Sequence, residues 1–227
     1  MDTALAPARA CTTRSCSARW DLPDGRAVTV RAVLAEDLQL ESDFVAHGLT
    51  QQSRYQRFQT ALSELPPGMA RYFTDIDFRQ HVALLALDDS DGRPQQVGEV
   101  RYVCDGDLPD QAEFALAVAD GWQGQRLGAR LLRQLVRIAR RHGVRLLYGD
   151  VLRTNAPMLA LTRAQGFTPR PQGDARLVRM ALALEPVSAP SPRDARRTGY
   201  TDASASASSC TVMASTSARS AYTAIAS

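Results

Sequence analysis

The stretch "WQGQRLGARLL", residues 122–132, decides how this chain is read. Gly124 and Gly128 frame a polar run that leads into an apolar repeat studded with arginine, and the segment holds no carboxylate. Glycine is a poor helix former, and arginine is unfavourable at a helix start, where the aligned peptide dipoles are already positive. Leu127, Leu131, Leu135 and Ile138 nevertheless recur at helical spacing and predict a helix over about 124–141. An anion at its start resolves the conflict. Unpaired N–H groups and the guanidiniums of Arg126 and Arg130 would stabilise it, and the two glycines would let it approach the backbone. Arg133, Arg137 and Arg140 continue an arginine stripe that fits a solvated face as well as a functional one. Pyrophosphate is the obvious anion. The P-loop pattern requires lysine, of which the chain has none, and the dinucleotide fingerprint G-x-G-x-x-G is also missing.

Outward from that helix, "AEFALAVAD" (112–120), "QVGEVRYVC" (96–104) and "HVALLALDD" (81–89) read as three consecutive strands. "RAVTVRAV" (26–33) alternates like a strand. Helices are expected over 36–49, 51–62 and 66–77, the last with proline before its first turn. After the long helix come a strand at 144–151, a helix within 154–167 capped by Asn155 and closed by Gly166, and a strand at 175–184. Antiparallel strands followed by αβ units argue a mixed α/β domain with a single central sheet flanked by helices. Residues 1–25 read as a disordered N-terminal tail, 26–184 as the folded domain, and 185–227 as a Ser/Ala-rich disordered tail.

The totals exclude other classes. No apolar run has the length of a membrane span and the N-terminus has no apolar signal region, so a cytoplasmic protein is expected, with no membrane partner. Cys11, Cys16, Cys104 and Cys210 form no C-x-x-C pair, and His47, His81 and His142 are scattered, so neither a metal site nor a disulfide is expected. Net charge is +3, and the arginine stripe lacks interleaved aromatics, which argues against a nucleic-acid partner.

The run Gln123 to Gly128 resembles the Q/R-x-x-G-x-G/A motif of the GNAT superfamily of N-acetyltransferases, and Asn155 to Phe167 resembles a later motif of that family. The order of elements over 26–184 agrees with that fold. Together with "SRYQRFQTALSEL" (53–65), these segments resemble the catalytic domain of bacterial protein lysine acetyltransferases of the Pat type. In that group the domain is often fused to a synthetase-like or cyclic-nucleotide region, neither of which fits here, so a free-standing catalytic domain is expected. Arg126 stands in place of the motif's central glycine, which a backbone with negative φ accepts.

The resemblance implies acetyl-CoA as co-substrate, with no metal. It implies that backbone groups of Leu116, Ala117 and Val118 meet the pantetheine arm. The N–H groups of Gln123, Gly124, Gln125, Arg126, Leu127, Gly128 and Ala129 would hold the pyrophosphate, and Asn155 would help orient the cofactor. Acyl transfer to an amine needs a neutral nucleophile. The resemblance implies Glu113 as the base that produces it, with Glu99 as second candidate. Many relatives carry a tyrosine acid where this chain has Thr162, which leaves the acid unassigned; Tyr148 lies on the preceding strand. Arg54, Tyr55, Arg57 and Phe58 stand where acceptor-side residues belong, the arginines either solvated or facing an acidic protein surface. The implied activity is acetylation of protein lysine, for example on an acyl-CoA synthetase. A small-amine acetyltransferase and a non-catalytic acyl-CoA sensor are the alternatives.

Overall fold

The computed structural model describes residues 17–185; most of the sequence assigned to the two tails lies outside them. Eight strands form one sheet in the order β1-β2-β3-β4-β5-β6-β8-β7. They are β1 (Ser17–Asp21), β2 (Ala27–Ala32), β3 (His81–Asp88), β4 (Gln95–Cys104), β5 (Gln111–Val118), β6 (Leu146–Leu152), β7 (Thr168–Arg170) and β8 (Leu177–Ala183). Every neighbouring pair is antiparallel except β5 with β6. Helices α1 (Leu38–Asp43), α2 (Gln51–Phe58) and α3 (Pro67–Thr74) precede β3; α4 (Leu127–Arg141) and α5 (Ala156–Ala164) flank β6.

The leucine stripe of α4 does what its spacing predicts. Leu127, Leu131, Leu135 and Ile138 are fully buried. Gly98 on β4 lets them approach the sheet, because a Cβ there would lie 3.2 Å from the Leu131 side chain. The opposite face of β4 carries Glu99 and Arg101 towards α1 and α3.

Three expectations need correction. Residues 17–25, read as tail, form β1 and a turn: β1 pairs with β2 from Ser17 to Asp21, and Trp20 is buried. The turn "LPDG" with Gly25 at φ +87° was the available signal. The helix expected over 36–49 is a 3-10 turn, the short α1 and a π-turn over Phe44–Gly48. Arg54 explains the wide turn, since its guanidinium donates to the carbonyls of Val45, Ala46 and Leu49. Strand β7 was missed because it is three exposed residues containing a proline, which only an edge tolerates.

Candidate active site

Strands β5 and β6 pair only where Gln111–Glu113 meet Leu146–Tyr148. Beyond Glu113 they part, although β5 stays paired with β4 as far as Val118. A wedge marks the fork. The Phe114 ring lies against Gly149, where a Cβ would come within 2.7 Å of it, and Phe114 packs on Phe167 at 5.1 Å between centroids. The parted strands open a cleft of about 980 Å³. Of the twelve residues singled out in the sequence, the structure brings eleven to this cleft; Gln125 alone is not among its lining residues.

The loop into α4 explains its two glycines separately. Gly124 has φ +76° and open space above it, so it serves the turn and leaves room for a ligand. Gly128 serves close packing: a Cβ there would press on Leu161 at 3.3 Å, beside Leu116 and Val118. Arg126 lies in the left-handed region at φ +61°, against the negative φ expected, and is the N-cap of a helix that begins at Leu127 rather than 124. The first hydrogen bond runs from Arg130 N–H to the Arg126 carbonyl, so the N–H groups of Leu127, Gly128 and Ala129 precede the ladder. The Arg130 side chain is not aimed at an anion there. It donates to the Asp21 carbonyl at 2.6 Å and stacks over Trp20. A left-handed arginine costs about 1–2 kcal/mol, partly offset by glycine's larger unfolded-state entropy. Arg126→Gly is therefore expected to be more stable by about 0.5–1 kcal/mol, read as a higher melting temperature in calorimetry.

Helix α2 bridges the fork. At its start, Asp120, just past β5, accepts from the Thr50 N–H (2.9 Å), the Thr50 hydroxyl (3.1 Å) and the Ser53 hydroxyl (2.9 Å). At its end Gln59 turns left-handed (φ 58°), which stops the helix short of the expected residue 62, and its amide donates to the Asp150 carbonyl of β6. In between, Arg57 is buried against Glu99 at 2.9 Å. Arg54 and Arg57 thus both make internal ties, Arg57 also lines the cleft, and Phe58 packs on Phe73. Asp120→Ala removes the carboxylate that holds the α2 start and should cost about 1–2 kcal/mol in denaturant unfolding, with acceptor KM rising more than acetyl-CoA KM.

Glu113 is half-buried at the fork and pairs in register with Tyr148. Burial, then the Glu113 charge, pushes the Tyr148 phenol up to about 12. Arg179 lies 4.4 Å over the Tyr148 ring and binds both oxygens of Asp150 at 2.9 Å. Glu99 is corrected as a base candidate. Burial raises its pKa, but Arg101 and Arg57 outweigh this and hold the carboxyl below the usual range. Thr162 is fully buried and its hydroxyl is spent on the Met158 and Leu159 carbonyls. Asn155 caps α5 by accepting from the Met158 N–H, and also lines the cleft. Sequence reading missed Asp120, Gln59, Asp150 and Arg179; each acts through a long-range contact that spacing does not encode. Among the described residues no group of three or more His, Cys, Asp or Glu is placed to hold a metal ion, and no helix is long and apolar enough to cross a membrane.

A parallel strand pair that forks beside a glycine-turned helix start is the architecture of an acyl-CoA-dependent transferase, and the chain belongs to the GNAT acetyltransferase family, whose model matches residues 51–167. It is an acyltransferase with acetyl-CoA as donor. It is 36% identical over 166 residues to an acetyltransferase of Pseudomonas aeruginosa, covering 72% of this chain and 87% of the relative. The crystal structure of the GNAT domain of S. lividans PAT superposes with a TM-score of 0.68 at 27% identity, covering 74% of this chain and 97% of that one. A putative acetyltransferase from Salmonella typhimurium, solved with acetyl-CoA, shares the fold at TM-score 0.53 and 18% identity, covering 73% and 98%.

Proposed function

We propose that this acetyltransferase modifies lysine side chains of proteins by direct transfer, with Glu113 as the general base. The observation that carries the reading is the placement of Glu113: a carboxylate at the point where β5 and β6 part, on the cleft wall that faces α2. Likeness to the S. lividans PAT domain supports a protein acceptor.

The residues present fit acetyl-CoA. The backbone edge of Leu116, Ala117 and Val118 faces the open fork, where a pantetheine arm would replace the missing strand partner. The N–H groups around Gln123, Gly124 and Arg126, with those of Leu127, Gly128 and Ala129, would hold the pyrophosphate, and the Arg126 guanidinium adds charge. The Asn155 amide would orient the cofactor while its oxygen caps α5. Acetyl-CoA supplies the activated acyl group. Glu113 takes a proton from the incoming ammonium, directly or through water, so that the neutral amine attacks the thioester carbonyl. A β5 N–H near Val118 would receive the oxyanion. The thiolate leaves unprotonated or takes a proton from water.

The test is thiol release with a bacterial acyl-CoA synthetase, lysine peptides and a small-amine panel as acceptors, followed by mass spectrometry of the proteins. Acetylated lysine on the protein or peptides is expected. Turnover confined to small amines would replace this reading with a small-molecule acetyltransferase. The compartment in which the reaction is expected is the cytoplasm.

A further inference from the structure

The sheet face that leads away from Glu113 carries two cross-strand rows. The first runs Glu113, Tyr148, Ala181, Thr168 across β5, β6, β8 and β7. The next runs Asp150, Arg179, Arg170. Strand neighbours lie about 4.8 Å apart, so the second row stands beside a path leading from the base to the open edge of the sheet. Arg179 and Arg170 face each other directly in that row. Like charges opposite one another destabilise a strand pair. Asp150, buried beneath Arg179, pairs with it, and the Glu113 charge also favours the arginine's cationic form. Among the described residues Arg170 forms no ion pair, and the strand that bears it is exposed throughout. A third arginine, Arg176, stands on the turn that precedes β8, 69% exposed and paired with Asp174. α2, tied to β6 where the Gln59 amide donates to the Asp150 carbonyl, closes one flank of the path, and an arginine-rich hairpin forms its far rim.

The geometry points to an acidic acceptor segment: the lysine is inserted towards Glu113 while carboxylates flanking it in the polypeptide dock on Arg170, Arg176 and Arg179. This rests on the protein-lysine reading and narrows it to a class of site. A lysine with basic neighbours would bring like charge against the rim. An acidic stretch would relieve the Arg170–Arg179 repulsion on binding.

Two peptide families test this, each with one central lysine, flanked by Asp/Glu in one and by Arg in the other, together with a small alkylamine. The acid-flanked family is expected to win by about tenfold or more in kcat/KM, through KM, with a preference that shrinks as salt is added. Arg170→Glu, and separately Arg176→Glu, should reduce or invert that ratio. Arg170 and Arg176 are exposed, so folding survives the change, and melting curves verify it. Equal use of both families, or charge reversal with no effect on the ratio, overturns the acidic-segment reading and leaves protein lysine as acceptor. Acetylation of the alkylamine with neither peptide family modified overturns both.

Discussion

Glu113→Gln is expected to lower kcat/KM for the amine by about 10²–10⁴-fold, the usual contribution of a positioned base, while acetyl-CoA binding is unchanged. The substitution keeps the side-chain shape at the fork and removes the capacity to accept a proton, together with the charge that acts on Tyr148 and Arg179. Its neighbours argue that the loss is chemical. Glu113 sits on a strand held by β4 through seven residue pairs, so the backbone does not depend on its carboxylate. The cofactor-facing edge begins beyond it. Two measurements separate the base role from damage: calorimetric titration of CoA, and the rate against pH. If Glu113 serves only to deprotonate the ammonium, the defect shrinks at high pH, where solvent supplies neutral amine, and is smaller for acceptors of low amine pKa. A defect that is constant across pH, or a lost CoA affinity, would assign Glu113 to structure instead.

Local chemistry was legible where the signal was local. The α4 stripe, the β3–β5 run and the Asn155 cap were all read from spacing, because burial of one face leaves a period in the sequence. The cleft residues were legible for the same reason: one loop and one strand edge supply most of them. What was not legible depends on distant partners. Arg57 looks like any helical arginine until β4 delivers Glu99, which is 42 positions away. Glu99 interrupts an apolar strand in the same way as Glu113, and only the arginines around it separate a structural carboxylate from a candidate base. The sign of φ at Arg126 escaped as well. Spacing locates a turn, but the hand of one residue in it is set by how the chain must re-enter the helix.

Arg101→Met should be strongly destabilising, by about 3–5 kcal/mol at pH 8, because it removes the cation shared by two buried carboxylates and leaves Glu99 to Arg57 and Glu41 to the Gln96 amide. Arg101 is 1% exposed and binds Glu99 at 2.5 Å, Glu41 at 2.7 Å and the Phe73 carbonyl at 3.2 Å, with its guanidinium 3.9 Å from the Phe73 ring. Burial, then the Glu99 charge, already pushes Glu41 up to about 7 despite Arg101. Glu99 is the opposite case, held low by Arg101 and Arg57. In the wild type its contribution is present above the ordinary carboxylate pKa and is lost as pH falls through the depressed value. Without Arg101, the folded pKa of Glu41, where burial already dominates, rises further, and that of Glu99 rises from its depressed value while Arg57 still opposes burial there. The folded state then binds more protons than the unfolded state between the ordinary carboxylate pKa and the raised value of Glu41. Stability must therefore fall as pH increases through that window. Urea midpoints of the variant should improve from pH 8 to pH 5.5, narrowing the gap to wild type. A gap that is constant over this range would mean that the loss comes from packing of the guanidinium on Phe73, and that the carboxylates find other partners.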